Sequence, residues 1–364
     1  MRSSVKIAAA VGVLALTAAA CGSKPATSTP SSSSSATSAA PASFKACMVT
    51  DTGGIDDRSF NASAWQGIQN AESALGVSGQ YLQSTSQNDY TPNINALVGQ
   101  KCGVIVTVGF LMGDATKAAA TANPNQKFAI VDFSYTPTMP NVLGLTYNTA
   151  QAGFLGGYLA AGMTKTGKVA TFGGMKIPPV TIYMDGYWDG VKYYNAQHKT
   201  NVQVLGWNET TQNGTFTGDF TDQAKGQQVT QTFIQQGADI IFPVAGNVGL
   251  GAAKAAQQSN GKANLLWVDT DGCVSAPQYC SLFISSVTKG IAVSVQGAVK
   301  AAKDGTFQGG AYVGTLANNG VGLAPFHDWA SKVPATLQSE LAQVKAGIIA
   351  GTIKVTSPSQ PSSS

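Results

Sequence analysis

The chain is poor in charge and poorer in histidine. Only 11% of its 364 residues are Asp, Glu, Lys or Arg, and His198 and His327 are its only histidines. Lys+Arg 22 against Asp+Glu 18 gives a formal charge of +4 without a basic block or stripe, which argues against a nucleic-acid partner. Two histidines offer little for metal ligation or proton transfer. No G-x-S-x-G, H-E-x-x-H or C-x-x-C is present, so nothing requires an enzyme, a metal or a cofactor. The apolar run 7–20 has 14 residues, short of the roughly 20 needed to span a membrane, and no other segment has spanning length. What the chain does have is 43% hydrophobic residues and 41 Gly, enough for a large α/β core. At roughly 100–200 residues per domain its length allows two lobes.

Arg2 and Lys6 precede the apolar run, and Leu16-Thr17-Ala18-Ala19-Ala20 leads into Cys21. This is a secretory signal over 1–20 ending at a lipoprotein-type cysteine, which makes Cys21 the lipidated residue and the protein a membrane-anchored one on the extracytoplasmic face. Ala18 stands where Leu is commoner; the alternative is an ordinary signal peptide or an uncleaved anchor. Cleavage before Cys21 removes Arg2 and Lys6 and no acid, so the mature charge is 20 − 18 = +2. Residues 21–43 are rich in Ser, Thr, Ala and Pro and read as a disordered leash, and 357–364 as a disordered tail. The remaining four cysteines fit two disulfides in an exported protein. Cys273 and Cys280 enclose a short loop; Cys47 and Cys102 each begin a predicted strand, and a bridge is feasible if those strands are neighbours. Without C-x-x-C pairs, a cysteine-only zinc site is disfavoured.

From residue 45 the chain alternates apolar strand-like runs with amphipathic helical stretches, the pattern of parallel α/β layers. Strands are expected at 45–51, 79–84, 103–109, 127–133, 141–147, 168–173, 202–208, 239–246, 265–271 and 282–287. Helices are expected at 60–75, 92–99, 115–122, 150–164, 182–197, 224–236, 250–259 and 290–303. One internal echo divides them: Gln100 to Gly109, followed by Gly113 and Lys117-Ala118-Ala119, parallels Gln236 to Gly246, followed by Gly249 and Lys254-Ala255-Ala256. Two related doubly wound lobes produce such an echo, and in such sheets ligands sit beyond the carboxyl ends of the strands.

The candidate chemistry lies at those ends. Asp51-Thr52-Gly53-Gly54-Ile55-Asp56-Asp57-Arg58-Ser59-Phe60-Asn61 joins the first strand to the first helix, with Ser59 as the expected N-cap and exposed amides for a polar ligand. Asp132, Asp269 and Asp271 close strands and suit hydroxyl-rich or NH-bearing ligands as charge-assisted acceptors. Such acids also serve as helix caps. Two decoys fail. Gly162 to Val169 nearly spells a P-loop but has Val169 in place of the magnesium-holding Ser/Thr and runs from helix into strand; Gly246-Asn247-Val248-Gly249-Leu250-Gly251 lacks a proper dinucleotide G-x-G-x-x-G.

The run Asp51 to Asn61 closely resembles the signature of the basic membrane protein family, lipoprotein substrate-binding components of ABC transporters that include purine nucleoside receptors. The resemblance continues through Gly109-Phe110-Leu111-Met112, Phe154 to Met163, Gly173-Gly174-Met175, Ala245 to Gly251, Asp269-Thr270-Asp271 and Gly320 to Pro325, covering 45–355. It implies a type I periplasmic-binding-protein fold: two Rossmann-like lobes joined by three crossovers, the first lobe 44–147 and 272–306, the second 148–271 and 307–356. It also implies a monomer that hands a nucleoside-like ligand to a permease and its ATPase. By motif position Phe60 matches the base-stacking aromatic, Asn61 the polar residue after it, Asp132 the base-reading carboxylate, Asp269 the ribose-binding acid and Lys289 the following lysine. Asp51 and Gly246 line the same loops. One departure stands out. The family's second aromatic is expected in the strand before Ala245-Gly246, where this chain has Pro243. That leaves a weaker sandwich, a receptor for a sugar or other polyol, or a nucleoside hydrolase, though no dense Asp cluster is present to hold a hydrolase's calcium.

Overall fold

The structure, a computed structural model, describes residues 44–361. The signal segment, Cys21 and the leash 21–43 lie outside the described residues.

The apolar runs form two parallel sheets in one compact body. The first is built from β1 (Lys45–Val49), β2 (Ser78–Leu82), β3 (Val104–Val108), β4 (Phe128–Val131) and β5 (Val142–Tyr147), with helices α1 (Phe60–Leu75), α2 (Tyr90–Gly99) and α3 (Gly113–Ala122) between them. The chain then crosses into α4 (Thr149–Met163), β6 (Lys168–Gly173), α5 (Pro178–His198) and β7 (Gln203–Leu205). A small hairpin follows, β8 (Trp207–Asn208) with β9 (Asn213–Gly214). Next come α6 (Gln223–Gln235), β10 (Ile240–Val244), α7 (Val248–Gln258), β11 (Asn264–Asp269), the single turn α8 (Gly272–Ser275) and β12 (Phe283–Lys289). The final elements are α9 (Ile291–Lys303), β13 (Gly310–Gly314), β14 (Val321–Leu323) and α10 (Ala335–Ile349). Every residue of β3 and β10 is buried, as central parallel strands covered on both faces require.

Strand order is β13-β5-β4-β3-β1-β2 in one sheet and β14-β12-β11-β10-β6-β7 in the other, so the two lobes repeat one plan. The sequence echo falls on equivalent strands, β3 and β10. The edges differ: β13 runs parallel to β5, whereas β14 is antiparallel to β12. Cys47 and Cys102 are joined where β1 pairs directly with β3, and Cys273 with Cys280 where the chain turns from α8 toward β12.

This topology corrects the expected lobe boundaries. Residues 272–289 belong to the second lobe, because β12 pairs with β11 on one side and β14 on the other. Residues 290–314 belong to the first, because α9 packs on α1 and β13 extends the first sheet beside β5. The expected tail is corrected too. Ser357 donates through Oγ to Asp185, and Ser359 Oγ lies 2.8 Å from Thr181 Oγ1, so 357–361 is laid against α5.

The chain crosses between lobes after Tyr147, after Lys289 and after Gly314, and these passages are stitched together. Asn148 N donates to Gly314 O at 2.8 Å, and Gly290 N to Gly320 O at 2.8 Å. A Cβ on Gly320 would sit 2.3 Å from the Gly314 Cα, a contact that only backbone movement relieves. Replacing Gly320 by Ala is expected to lower the melting temperature by several degrees, the consequence of overpacking by about 1–3 kcal/mol. An unchanged transition in thermal denaturation counts against the tight crossover.

Candidate functional site

A cavity lies between the carboxyl ends of the two sheets, the place where doubly wound folds bind small molecules. Asp51, Phe60, Asn61, Asp132, Gly246, Asp269 and Lys289 all line it, joined by residues the sequence did not single out as ligands: Asp57, Leu111, Tyr183, Phe220 and Val244 among them.

On the first-lobe side the turn after β1 is organised by carboxylates. Asp51 Oδ1 accepts from Asn61 Nδ2 at 2.7 Å and from Gly53 N at 2.9 Å. Asp57, not the side chain of Ser59, caps α1: its oxygens accept from the amides of Ser59 (3.0 Å), Asn61 (2.7 Å) and Ala62 (3.1 Å). Ser59 occupies the cap position, but its hydroxyl has no partner. A carboxylate two positions earlier reaches more of the unsatisfied amides, and the helix dipole favours its charge. The buried Asn61 Oδ1 also lacks a partner, which leaves an acceptor available in the cavity wall. Burial pushes Asp57 up to about 7 against the pull of those amides, and it raises Asp51 as well.

At the centre is a buried cation between two acids. Lys289 Nζ is 2.9 Å from Asp132 Oδ2 and 3.5 Å from Asp269 Oδ1, with all three side chains under 10% exposed. Tyr183 donates its hydroxyl to Asp269 Oδ1 at 2.8 Å. The ammonium lies 5.0 Å from the Phe60 ring centre, 5.3 Å from Tyr183 and 5.4 Å from Tyr147, within cation–π range of each. Burial alone would lower the Lys289 pKa; the two carboxylates outweigh it and hold the lysine protonated. Burial pushes Asp132 up to about 6, against the attraction of Lys289. Asp132 and Asp269 occupy equivalent strand ends, and both have left-handed backbones, φ 67 and 65. Asp tolerates that conformation better than most residues, and the strain is of the kind found at ligand sites.

Two further expectations are corrected here. Asp271 lies two residues beyond the end of β11 and does not line the cavity; it caps α8 by accepting from Cys273 N (3.0 Å) and pairs with His327 (2.7 Å). Pro243 does not stand in for an aromatic. It points to the opposite face of β10, toward Gly249, while Val244 meets the cavity, as alternation along a strand demands. The second-lobe aromatic is instead Phe220, two residues ahead of the α6 cap Asp222. Its loop is fixed by Asp219, which accepts from the Thr221 and Asp222 amides and pairs with Lys225. The available signal was an aromatic close to a helix start, as Phe60, the first residue of α1, is in the first lobe.

Two lobes of parallel sheet with a cavity between their strand ends define a bilobal solute-binding protein. Residues 44–358 match the model of the family described as ABC transporter substrate-binding protein PnrA-like, and the chain belongs to that family. The nucleoside-binding protein BmpA of an ABC transporter in Lactococcus lactis is 33% identical over 333 residues, covering 86% of this chain and 89% of its own length. Basic membrane protein A of Borreliella burgdorferi is 30% identical, covering 76% of this chain and 78% of its own. Among solved structures, an ABC-transporter solute-binding protein of Aeropyrum pernix superposes with a TM-score of 0.78 at 25% identity, covering 86% of this chain and 94% of that one.

The acids raised by burial carry a pH consequence. With Asp57 near 7 and Asp132 near 6, against 3.8 for a free carboxyl, the native state binds more protons than the unfolded chain from about pH 4 to 7. Stability of the ligand-free protein therefore falls as pH rises through that window. Thermal denaturation at pH 5 is expected to give a higher midpoint than at pH 7.5; the reverse order contradicts these assignments.

Proposed function

We propose that this chain is the lipid-anchored receptor of an ABC importer. It captures a nucleoside between its lobes and delivers it to the membrane permease and its ATPase. The observation that carries the reading is the pairing, in one cavity, of aromatic faces from both lobes, Phe60 and Phe220, with carboxylates from both, Asp132 and Asp269. A flat base fits between rings. Asp132 accepts from its NH donors, Asp269 takes the ribose hydroxyls, and Lys289 neutralises the acids while offering its own donors. Asp51, Asn61 and Gly246 complete the polar rim, Asn61 through its unpaired Oδ1. Closure is a hinge motion about the three stitched crossovers.

The name of the Lactococcus lactis relative supports the ligand class, and that of a Pyrococcus horikoshii relative, an uncharacterized lipoprotein at 32% identity, supports the anchor at Cys21. No helix among the described residues is long and apolar enough to cross a membrane.

Calorimetric titration with purine and pyrimidine nucleosides, free bases and sugars tests the ligand. Nucleosides are expected to bind, and Phe60→Ala is expected to weaken them about 10- to 100-fold, the loss of roughly 1–3 kcal/mol of base stacking. A protein that ignores nucleosides and binds a sugar overturns the reading. Mass spectrometry of membrane-extracted protein reports the lipid: an N-terminal diacylated Cys21 is expected, and an unmodified one contradicts the anchor.

A further inference from the structure

Beside the ligand cavity lies a second, partly open chamber of about 200 Å3 that the recognition described above does not use. The two share Phe110, Asp132 and Pro179, so Asp132 stands in the wall between them. Part of the chamber's wall is the segment after α10, through Ser359, Gln360 and Pro361. That segment is tied down rather than loose. Ser357 donates to buried Asp185, whose other oxygen accepts from Trp207 Nε1 (3.0 Å) and Gln212 Nε2 (2.8 Å); Ser359 N donates to Ser357 Oγ (3.0 Å).

The chamber's character follows from how its polar groups are already engaged. Thr146 Oγ1 donates to the Tyr312 carbonyl at 2.9 Å, the Tyr147 hydroxyl lies 2.5 Å from Ser294 Oγ, and Gln360 Nε2 donates to the Val355 carbonyl at 2.9 Å. Ser359 Oγ is paired with Thr181. Carbon from Phe110, Phe133, Pro178, Pro179 and Ile182 makes up the larger part of these walls, beside the polar groups of Asp132, Ser134 and Gln360. A hydrocarbon substituent gains there by covering that carbon from water.

We propose that this chamber is a subsite for a hydrocarbon group, alkyl or benzyl, carried on the exocyclic nitrogen of the base at the edge Asp132 reads. The inference rests on the nucleoside reading. A secondary amine keeps one N–H for the Asp132 carboxylate and directs its substituent past that carboxylate into the chamber. The segment 357–361 then limits the size of the accepted group, so the ligand range of this receptor extends to base-alkylated nucleosides.

The test is calorimetric titration of the full chain with adenosine and with adenosine bearing a benzyl group on its exocyclic nitrogen. The substituted nucleoside is expected to bind within about threefold of adenosine or tighter. Ser134 lines the chamber and not the ligand cavity; Ser134→Trp is expected to weaken the benzyl compound at least tenfold and to leave adenosine unchanged. A chain ending at Thr356, which removes the wall without filling the chamber, guards against a misfolded Trp variant and is expected to bind adenosines whose substituent is longer than benzyl, which the full chain is expected to reject. Adenosine binding with rejection of the benzyl compound overturns the inference and leaves the nucleoside reading standing. So does benzyl binding that neither variant alters selectively. Failure of both compounds to bind, while a sugar does, overturns the nucleoside reading and the inference with it.

Discussion

The Lys289 ammonium, enclosed by Asp132 from one lobe and Asp269 from the other, is the interaction on which the cleft depends. A buried ion group of this kind adds little net stability, since desolvation offsets much of the attraction, yet losing one member leaves an uncompensated charge in a dry site. Its presence at the meeting of two lobes is therefore better explained by ligand recognition than by folding. Lys289 is the last residue of β12, and the chain leaves the second lobe at the next residue. The cation that holds both acids thus sits on the hinge, where lobe position and site charge are coupled.

The repeat of one sheet plan gives the site its symmetry. Gly109 and Gly246 end equivalent strands with positive φ, and Asp132 and Asp269 end the next pair in the same strained conformation. The cavity between the lobes is thus walled by matched loops from each side. The repeat breaks at the next pair: Tyr147 and Lys289 occupy equivalent strand ends, one supplying a ring and the other the charge that ring faces.

Most of the layering was legible in the sequence, because parallel strands buried on both faces are continuous apolar runs that end at Gly or Asp. The less apolar elements were not. Gly310–Gly314 has glycine at both ends and only partly buried residues until the last, β14 spans three residues, and α10 lies where no strand pattern framed it. Missing β13 and β14 displaced the lobe boundary, since only their pairing reveals on which side of the cleft β12 and α9 fall. In the site, the strand-end residues were readable from position, while Asp57, Tyr183 and Phe220 were not. Asp57 was hidden by Ser59 as the more familiar cap, Tyr183 lies inside a helix, and Phe220 comes from an irregular loop whose direction only tertiary packing over Gly174 fixes.

The central claim, that one buried cation organises the acids of both lobes, is tested most directly by unfolding Lys289→Met in denaturant without ligand at pH 7.5. Stranding Asp132 and Asp269 is expected to lower stability by about 3–5 kcal/mol and to cost less as pH falls toward 5, where Asp132 protonates. Stability equal to that of the unaltered protein across this range would contradict the account.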